Sequence, residues 1–286
     1  MNPARPAART LGLTALAMGA FAGNSLLCRQ ALLHTAIDPA SFTTVRLVSG
    51  ALVLWALVRW RGGHHTRATG DWTSASALFL YAAAFSFAYL SLSAGTGALL
   101  LFGAVQATML GWGLWRGQRL GGGQMAGLVL AMGGLVALLL PGVSAPPVAG
   151  ALLMLAAGAA WGVYSLRGRG AGDPTVVTAG NFVRAGALAL VLGLAALPWA
   201  RLDPAGLVWA LCSGALTSGL GYAVWYAALK GLHPTSSASV QLSVPVLTAL
   251  GGVALLGEPV TLRLALCSLA ILGGIAGVIA GARKAG

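Results

Sequence analysis

The chain carries one short pattern of small residues twice, as AMGAFAG at residues 17–23 and as AAGAAWG at residues 156–162. Each copy contains a G-x-x-x-G pair, and such pairs allow transmembrane helices to pack closely. Further matches recur at the same spacing of 138 to 140 residues: Arg46 with Arg184, Gly117 with Gly257, Gly133 with Gly273 and Gly134 with Gly274. The pattern predicts two related halves, residues 1–142 and 143–286.

The composition is typical of a membrane protein. Apolar residues make up 58% of the 286 residues and charged residues only 8%, against roughly 25% charged residues in an ordinary soluble domain. The 42 glycines fit this class, since Gly is more frequent in transmembrane helices than in soluble ones. Each helical span needs about 20 apolar residues. The chain therefore has room for about ten spans and none for a soluble catalytic domain.

The apolar runs, cut at charges and at Pro/Gly turns, predict ten transmembrane helices. They cover approximately residues 10–28, 40–58, 74–93, 97–115, 121–140, 148–166, 176–198, 205–229, 235–256 and 262–281. With a cytoplasmic N-terminus, twelve bases fall on the inner side: Arg5, Arg9, Arg59, Arg61, Arg67, Arg116, Arg119, Arg167, Arg169, Lys230, Arg283 and Lys284. Three fall on the outer side: Arg29, Arg201 and Arg263. This positive-inside pattern predicts that both termini are cytoplasmic.

The number of helices in each half sets the relative orientation of the halves. Five is odd, so the second half enters the membrane in the opposite sense to the first. Inverted repeats of this kind build secondary transporters, whose substrate site lies near the bilayer midplane between the halves. We therefore predict an all-α membrane protein, in which ten transmembrane helices form two inverted five-helix repeats around a central cavity.

The ionisable side chains argue against an enzyme. The five acids lie at span ends or in loops and do not form the carboxylate pair that a Mg²⁺-diphosphate site would need: Asp38, Asp71, Asp173, Asp203 and Glu258. The four histidines also lie in loops or at span edges, which leaves no base for a serine hydrolase. No P-loop motif is present. We expect no catalytic residue, no metal site and no cofactor. The bases act as topology signals, so we also expect no nucleic-acid partner.

The lack of a membrane carboxylate limits the substrate and the coupling. A membrane carboxylate usually holds the cation in exporters of lipophilic cations, and proton relays commonly use Asp, Glu or His. The substrate is therefore predicted to be neutral, zwitterionic or weakly anionic. Facilitated diffusion is favoured over proton coupling.

Arg46 and Arg184 are the charges predicted to lie within spans. An unpaired arginine there costs at least about 2.5–3.5 kcal/mol on insertion scales, so each should face the protein interior or water. Two roles stay open: tying backbone carbonyls or closing a gate between the halves, and receiving a substrate carboxylate. Pro245, midway along the ninth span, removes a backbone donor and bends that helix, as a hinge or as a static kink.

Polar and aromatic residues within the spans predict the cavity walls. Tyr and Trp supply an apolar wall with one polar tip, which suits a small amino-acid-like molecule. An aromatic belt at the membrane interface is the alternative for Tyr222, Trp225 and Tyr226. Ordinary packing is the alternative for Tyr81 and Trp161. The predicted substrate-binding residues are Asn24, Tyr81, Phe85, Tyr89, Gln106, Trp161, Tyr164, Tyr222, Trp225 and Gln241.

Residues 233–274 resemble the second-repeat signature of a known family. The motifs are HPTSSA at 233–238, Pro245, LGEPV at 256–260 and the pair Gly273-Gly274. In them the chain is similar to the drug/metabolite transporter superfamily, and more narrowly to its ten-span EamA-type members. Trp161-Gly162 and the two membrane arginines also fit the family pattern. The resemblance covers essentially the whole chain, with one EamA-like repeat in each half.

This resemblance implies export of small metabolites from the cytoplasm by alternating access. It also implies a cavity lined by spans one, three, four, six, eight and nine. Within the superfamily, the aromatic-rich membrane interior is most similar to bacterial amino-acid exporters of the YddG type.

The combined prediction is a secondary transporter in the bacterial cytoplasmic (inner) membrane, whose partners are the lipid bilayer and a small-molecule substrate. The substrate is an amino acid or a related zwitterionic or neutral metabolite. A channel-like pore, or an exporter of other small drugs or metabolites, is the alternative. Sparse polar residues favour an occluding transporter over a pore. The glycine stripe Gly273, Gly277 and Gly281 serves either packing within a monomer or a weak homodimer contact.

Overall fold

Four helices begin at an aspartate. Asp38, Asp71, Asp173 and Asp203 each accept at least one backbone N–H from the first turn that follows, which satisfies donors that a helix end leaves free. After three of them the next residue is a proline, whose fixed φ suits the first helical position. Four of the five acids therefore stabilise helix starts.

The computed structural model describes residues 4–62, 69–142, 145–168, 172–232 and 234–284, in which all regular structure is helical. Nine helices in these ranges are long and apolar enough to cross a membrane, and a further apolar helix has 17 residues. The predicted inner bases Arg67 and Arg169, and His233 of the family motif, lie outside the described residues. The helices are α1 (Ala4–His34), α2 (Pro39–Trp60), α3 (Trp72–Ala88), α4 (Ala94–Trp115), α5 (Gly122–Leu139), α6 (Val148–Arg167), α7 (Pro174–Ala195), α8 (Pro204–Leu229), α9 (Pro234–Gln241 and Ser243–Leu256) and α10 (Leu262–Lys284).

The helix contacts follow a regular exchange pattern. α2 contacts α7, and α5 contacts α10. α1 packs on α8 as α6 packs on α3, and α1 contacts α9 as α6 contacts α4. α2 contacts α8 as α7 contacts α3. Each of these contacts maps onto itself or onto another when every helix is exchanged for the one five places away.

A π-helical segment, Ser213–Leu220, interrupts α8 where it crosses α2. A Cβ at Gly214 would overlap the carbonyl oxygen of Arg46 and would lie 2.8 Å from the Arg46 Cα. A Cβ at Gly50 on α2 would lie 3.1 Å from the Gly214 carbonyl oxygen. Glycine at both positions therefore allows the two backbones to touch. Such π-segments occur frequently at functional sites.

The α9 helix is broken at Leu242. The Leu242 N–H bonds to the carbonyl of Ser239 at 3.1 Å, in a tighter turn than an α-helix makes. Pro245, which has no N–H to donate to the carbonyl of Gln241, follows this break by three residues. The bend expected from Pro245 stays a prediction.

The glycine stripe of α10 faces α5 at two of its three positions. A Cβ at Gly281 would lie 2.6 Å from the Gln124 side chain, and one at Gly277 would lie 3.7 Å from the Gly127 Cα. A Cβ at Gly273 would meet nothing within 4 Å. The stripe thus serves packing within the monomer at Gly277 and Gly281.

Candidate functional site

A cavity of about 680 Å³ lies between α1, α3, α4, α6, α7, α8 and α9. Tyr222 and Trp225, which are 4% and 7% exposed, both line it, so the alternative of a lipid-facing aromatic belt is wrong for them. Nine of the ten predicted substrate-binding residues line the cavity: Asn24, Tyr81, Phe85, Gln106, Trp161, Tyr164, Tyr222, Trp225 and Gln241.

Tyr89 is the predicted residue that does not line the cavity. Its ring packs edge-on against Phe85, with ring centroids 4.7 Å apart, and its hydroxyl donates to the carbonyl of Ala94 at 3.3 Å. The spacing from Tyr81 keeps Tyr89 on the same helix face, but eight residues at 1.5 Å each carry it about 12 Å further along the helix axis. Its assignment to the cavity wall is therefore wrong, because it lies beyond the end of the cavity.

The closed end of the cavity, deep between the helices, is polar. The Asn24 amide donates to the Tyr81 hydroxyl at 3.4 Å and accepts from the hydroxyls of Ser213 at 2.8 Å and Thr217 at 3.3 Å. These residues lie on α1, α3 and the π-segment of α8. We call the lining residues Asn24, Tyr81, Thr217 and Ser218 the cavity floor.

Arg46 lies directly behind the cavity floor and is 2% exposed. Its Nε donates to Ser218 Oγ at 3.3 Å, and its Nη2 donates to the Tyr81 hydroxyl at 3.1 Å. The guanidinium carbon lies 4.9 Å from the centroid of the Phe85 ring. Within the described ranges, its Nη1 has no hydrogen-bond partner.

Arg184, which matches Arg46 in the second half, has different surroundings. Its Nη1 donates to the backbone carbonyls of Thr69 at 2.6 Å and Gly180 at 3.1 Å. It is absent from the cavity lining. Of the two roles left open for the membrane arginines, Arg184 has the contacts of the first, because it ties α7 to the segment before α3.

Trp161 is the centre of an aromatic wall. Its ring stacks on Tyr222, at 5.2 Å and 27°, and on Tyr164, at 5.3 Å and 30°. The Tyr81 ring lies 4.9 Å away on α3. α6 approaches α4 closely here, since a Cβ at Gly158 would lie 2.5 Å from a backbone carbonyl oxygen of α4. The second G-x-x-x-G copy therefore positions the wall.

The cavity reaches the ends of the helices on one side only. There it is lined by Asp71, Arg167 and Leu232, and Lys230 follows the end of α8. Asp71 and Arg167 form an ion pair at 3.0 Å, with 47% and 43% of their side chains exposed. We call these two residues the mouth pair, and this side the base-rich end.

The Asp71 carboxylate is held in its ionised form. Burial raises its pKa, but hydrogen bonds from Ser74 and Arg167 and the charge of Arg167 outweigh this and hold the pKa below its ordinary value. Among the described lining residues it is the one carboxylate. Within the described ranges no group of three or more His, Cys, Asp and Glu residues is placed to hold a metal ion.

The opposite end is closed by a second ion pair. Arg29 Nε and Glu258 Oε1 are 2.9 Å apart, and the two side chains are 12% and 10% exposed. Arg29 also donates to the Tyr89 carbonyl at 2.8 Å, and Glu258 accepts the Ala94 N–H at 2.7 Å. A carboxylate is favoured at this helix start by the helix dipole. We call Arg29 and Glu258 the closing pair, and neither of them lines the cavity.

The sequence prediction missed the hydroxyls of α8 and α7. Thr217 and Ser218 line the cavity, and Ser213 supports Asn24 from behind. The run SGALTSG at residues 213–219 was the available signal, because polar residues are costly inside an apolar span. On α7 the Thr178 hydroxyl lies 2.8 Å from the Tyr226 hydroxyl, with which it shares a hydrogen bond.

Comparisons with known proteins agree with this architecture. Residues 148–280 match the EamA-like transporter family. An uncharacterized protein of Pseudomonas aeruginosa is 64% identical over 275 residues, which are 96% of each chain. An uncharacterized transporter of Archaeoglobus fulgidus is 27% identical over 256 residues, covering 83% of this chain and 86% of that one. One crystal structure, at 22% identity, shares the fold with a TM-score of 0.68 over 95% of this chain and 99% of that chain. The second half of the chain therefore carries an EamA-like transporter domain, and nine helices of the described residues are long and apolar enough to cross a membrane.

Proposed function

We propose that the protein exports amino acids, or related small zwitterionic or neutral metabolites, across the bacterial cytoplasmic membrane by alternating access. The observation that carries this proposal is the one-ended cavity, which extends from the mouth pair to the cavity floor and stops before the closing pair. Its volume of about 680 Å³ is in the usual range for small-molecule sites, and an apolar wall with a few placed polar groups is the usual lining.

The second part of the proposal is that residues 1–142 and 143–286 are two inverted repeats, with both termini in the cytoplasm. The exchange pattern of the helix contacts supports it, because a two-fold axis between α2 and α7 would generate that pattern. The base-rich end then faces the cytoplasm under the positive-inside rule. Substrate would enter the cavity from that side.

A channel-like pore is the competing function. A pore needs a continuous path, whereas the buried closing pair joins α1, α4 and the segment after α9 across the far end. Breaking and remaking such a pair is what alternating access requires. The geometry therefore favours a transporter.

Transport is expected to be independent of an imposed proton gradient. Asp71 lines the cavity, and its lowered pKa means that it gives up its charge only below the ordinary carboxylate range. The counterflow rate of wild-type protein should therefore vary less than about twofold between pH 5.5 and pH 8, since no described lining carboxylate titrates there. Flux that appears only with an imposed proton gradient would contradict this expectation.

The Asp71 charge should also make the stability of the protein depend on pH. The mouth pair should contribute to stability above the ordinary aspartate pKa and lose its contribution as pH falls through the lowered one. Thermal unfolding of wild-type protein and of Asp71→Asn should differ at pH 7, and the difference should shrink as the pH falls below the ordinary aspartate range. A difference that does not change with pH would show that the Asp71 charge has no such role.

Counterflow in proteoliposomes tests the proposed substrate class. Vesicles are loaded with each unlabelled amino acid in turn, and entry of the same labelled amino acid is followed over time. We expect saturable counterflow for a subset of small and aromatic amino acids, and none in vesicles without protein. No saturable flux for any amino acid would overturn the assignment.

A further inference from the structure

Arg46 is a buried charge without a counter-ion. It is 2% exposed, and both hydrogen bonds of its guanidinium go to neutral hydroxyls, those of Tyr81 and Ser218. A buried charge is costly unless it is paired and fully hydrogen-bonded. Its Nη1 makes no hydrogen bond within the described part of the chain. The side chain therefore retains both an unneutralised charge and a free donor.

No acid of the chain is available to pair with it. Four of the five cap helices: Asp38, Asp71, Asp173 and Asp203. The fifth, Glu258, is shared between Arg29 and the start of α4. All five lie in the described ranges, so no side-chain carboxylate neutralises Arg46, and an anion from outside the chain is the remaining candidate.

The geometry of the cavity floor points to where that charge would bind. The Tyr81 hydroxyl is a neutral oxygen that accepts from two donors at once, Arg46 Nη2 at 3.1 Å and the Asn24 amide at 3.4 Å. Tyr81 and Asn24 both line the cavity. A carboxylate would satisfy these donors better than a phenol oxygen, because charge-assisted hydrogen bonds are about twice as strong as neutral ones.

We propose that Arg46 is the counter-ion of a substrate carboxylate, which replaces the Tyr81 hydroxyl as the acceptor of Arg46 and Asn24 and also engages Nη1. The inference rests on the proposed transport function and narrows its substrate class. The site binds a compound that carries a carboxylate, and it rejects the amide or the decarboxylated amine of that compound. The amino group of the substrate is not required by this site.

A ligand series tests the inference on wild-type protein without any variant. The probes are phenylalanine, phenylalaninamide, phenethylamine and 3-phenylpropanoate, together with the corresponding leucine series. Each is added to purified protein, and the thermal unfolding temperature and the inhibition of amino-acid counterflow are measured. The two carboxylates of each series should bind about 10- to 100-fold more tightly than the amide and the amine, the range expected for a hydrogen-bonded charge.

Variants at Arg46 separate recognition from structure. Arg46→Gln should remove the preference for the carboxylate over the amide, while Arg46→Lys should keep much of it, because lysine retains the positive charge. A merely structural arginine would lower the amounts of folded protein in both variants and leave that preference unchanged. Thr178→Ala is the control, because it removes a cavity hydroxyl that Arg46 does not contact. This variant should keep the preference for the carboxylate over the amide.

The outcomes distinguish this inference from the proposed function. If 3-phenylpropanoate binds through Arg46 and no amino acid is transported, the carboxylate site stands and the amino-acid assignment is wrong. If amino acids are transported but their amides compete equally, the carboxylate site is wrong and the assignment stands. If no carboxylate of either series binds at millimolar concentration, the inference is overturned.

Discussion

Replacing Gly214 with alanine is expected to destabilise the protein more than any other single methyl group added to the described helices. The new Cβ would overlap the Arg46 carbonyl oxygen and the Ser49 hydroxyl, and it would lie 2.8 Å from the Arg46 Cα. Backbone atoms cannot move aside as a side chain can, so α2 and α8 would have to separate. Overpacking of this kind costs about 1–3 kcal/mol or more, and we expect a fall of roughly 2–12 °C in unfolding temperature.

Gly19→Ala is the matched control for this substitution. Gly19 belongs to the first G-x-x-x-G copy, and a Cβ there would meet nothing within 4 Å. Alanine in a helix interior is favoured over glycine by about 1 kcal/mol, so this variant should be as stable as wild type or slightly more stable. Both proteins are purified in the same detergent and unfolded thermally. Equal unfolding temperatures for Gly214→Ala and wild type would contradict the close helix crossing.

Trp161→Ala is expected to lower the transport rate by roughly 30-fold or more, the loss that corresponds to a dominant binding residue. The indole contacts Tyr222, Tyr164 and Tyr81, and it therefore holds together the aromatic wall from α3, α6 and α8. Its removal leaves a gap beside the cavity floor, and the three tyrosine rings lose their packing contact with the indole. Trp161→Phe should retain a measurable part of the rate, because it keeps one stacked ring.

Trp199→Ala is the control for the loss of a tryptophan. Trp199 lies in a short turn after α7, is 76% exposed and does not line the cavity. Counterflow is normalised to the amount of protein reconstituted into vesicles. Transport by Trp161→Ala at the rate of Trp199→Ala would show that the cavity is not the substrate site.

The sequence predicted the span pattern well because lipid imposes it. About 20 apolar residues must cross the bilayer, and the acids Asp38, Asp71 and Asp173 mark helix starts because capping needs a side-chain acceptor. The family resemblance, carried by residues 233–274, is confirmed by the comparisons as an EamA-like domain over residues 148–280. Ten spans, the inverted repeat and the orientation of the termini stay predictions.

The sequence gives the face of a helix more reliably than the depth along it. Tyr81, Phe85 and Tyr89 share a face, but the cavity ends between the second and the third of them. Depth depends on where the closing pair lies, and that pairing joins residues 229 positions apart. No local pattern could have predicted it.

Matching positions in the two halves of the sequence also do not have matching contacts in the structure. Arg46 and Arg184 occupy matching positions, yet Arg46 lies behind the cavity floor and Arg184 bonds to backbone carbonyls near the base-rich end. The difference follows from their neighbours. The π-segment Ser213–Leu220 lies beside α2, and a π-turn changes which side chains face inward in a way that helical periodicity does not anticipate.

Alternating access requires that the cavity floor is accessible from one end of the molecule at a time. Labelling of Thr217→Cys by a membrane-impermeant thiol reagent, added to either face of oriented vesicles, measures this access. The native cysteines Cys28, Cys212 and Cys267 are first replaced by alanine. Without substrate, labelling is expected from the base-rich face only, and Glu258→Gln, which breaks the closing pair, should add labelling from the opposite face. Equal labelling from both faces with the closing pair intact, or none from either face, would contradict access from one end at a time.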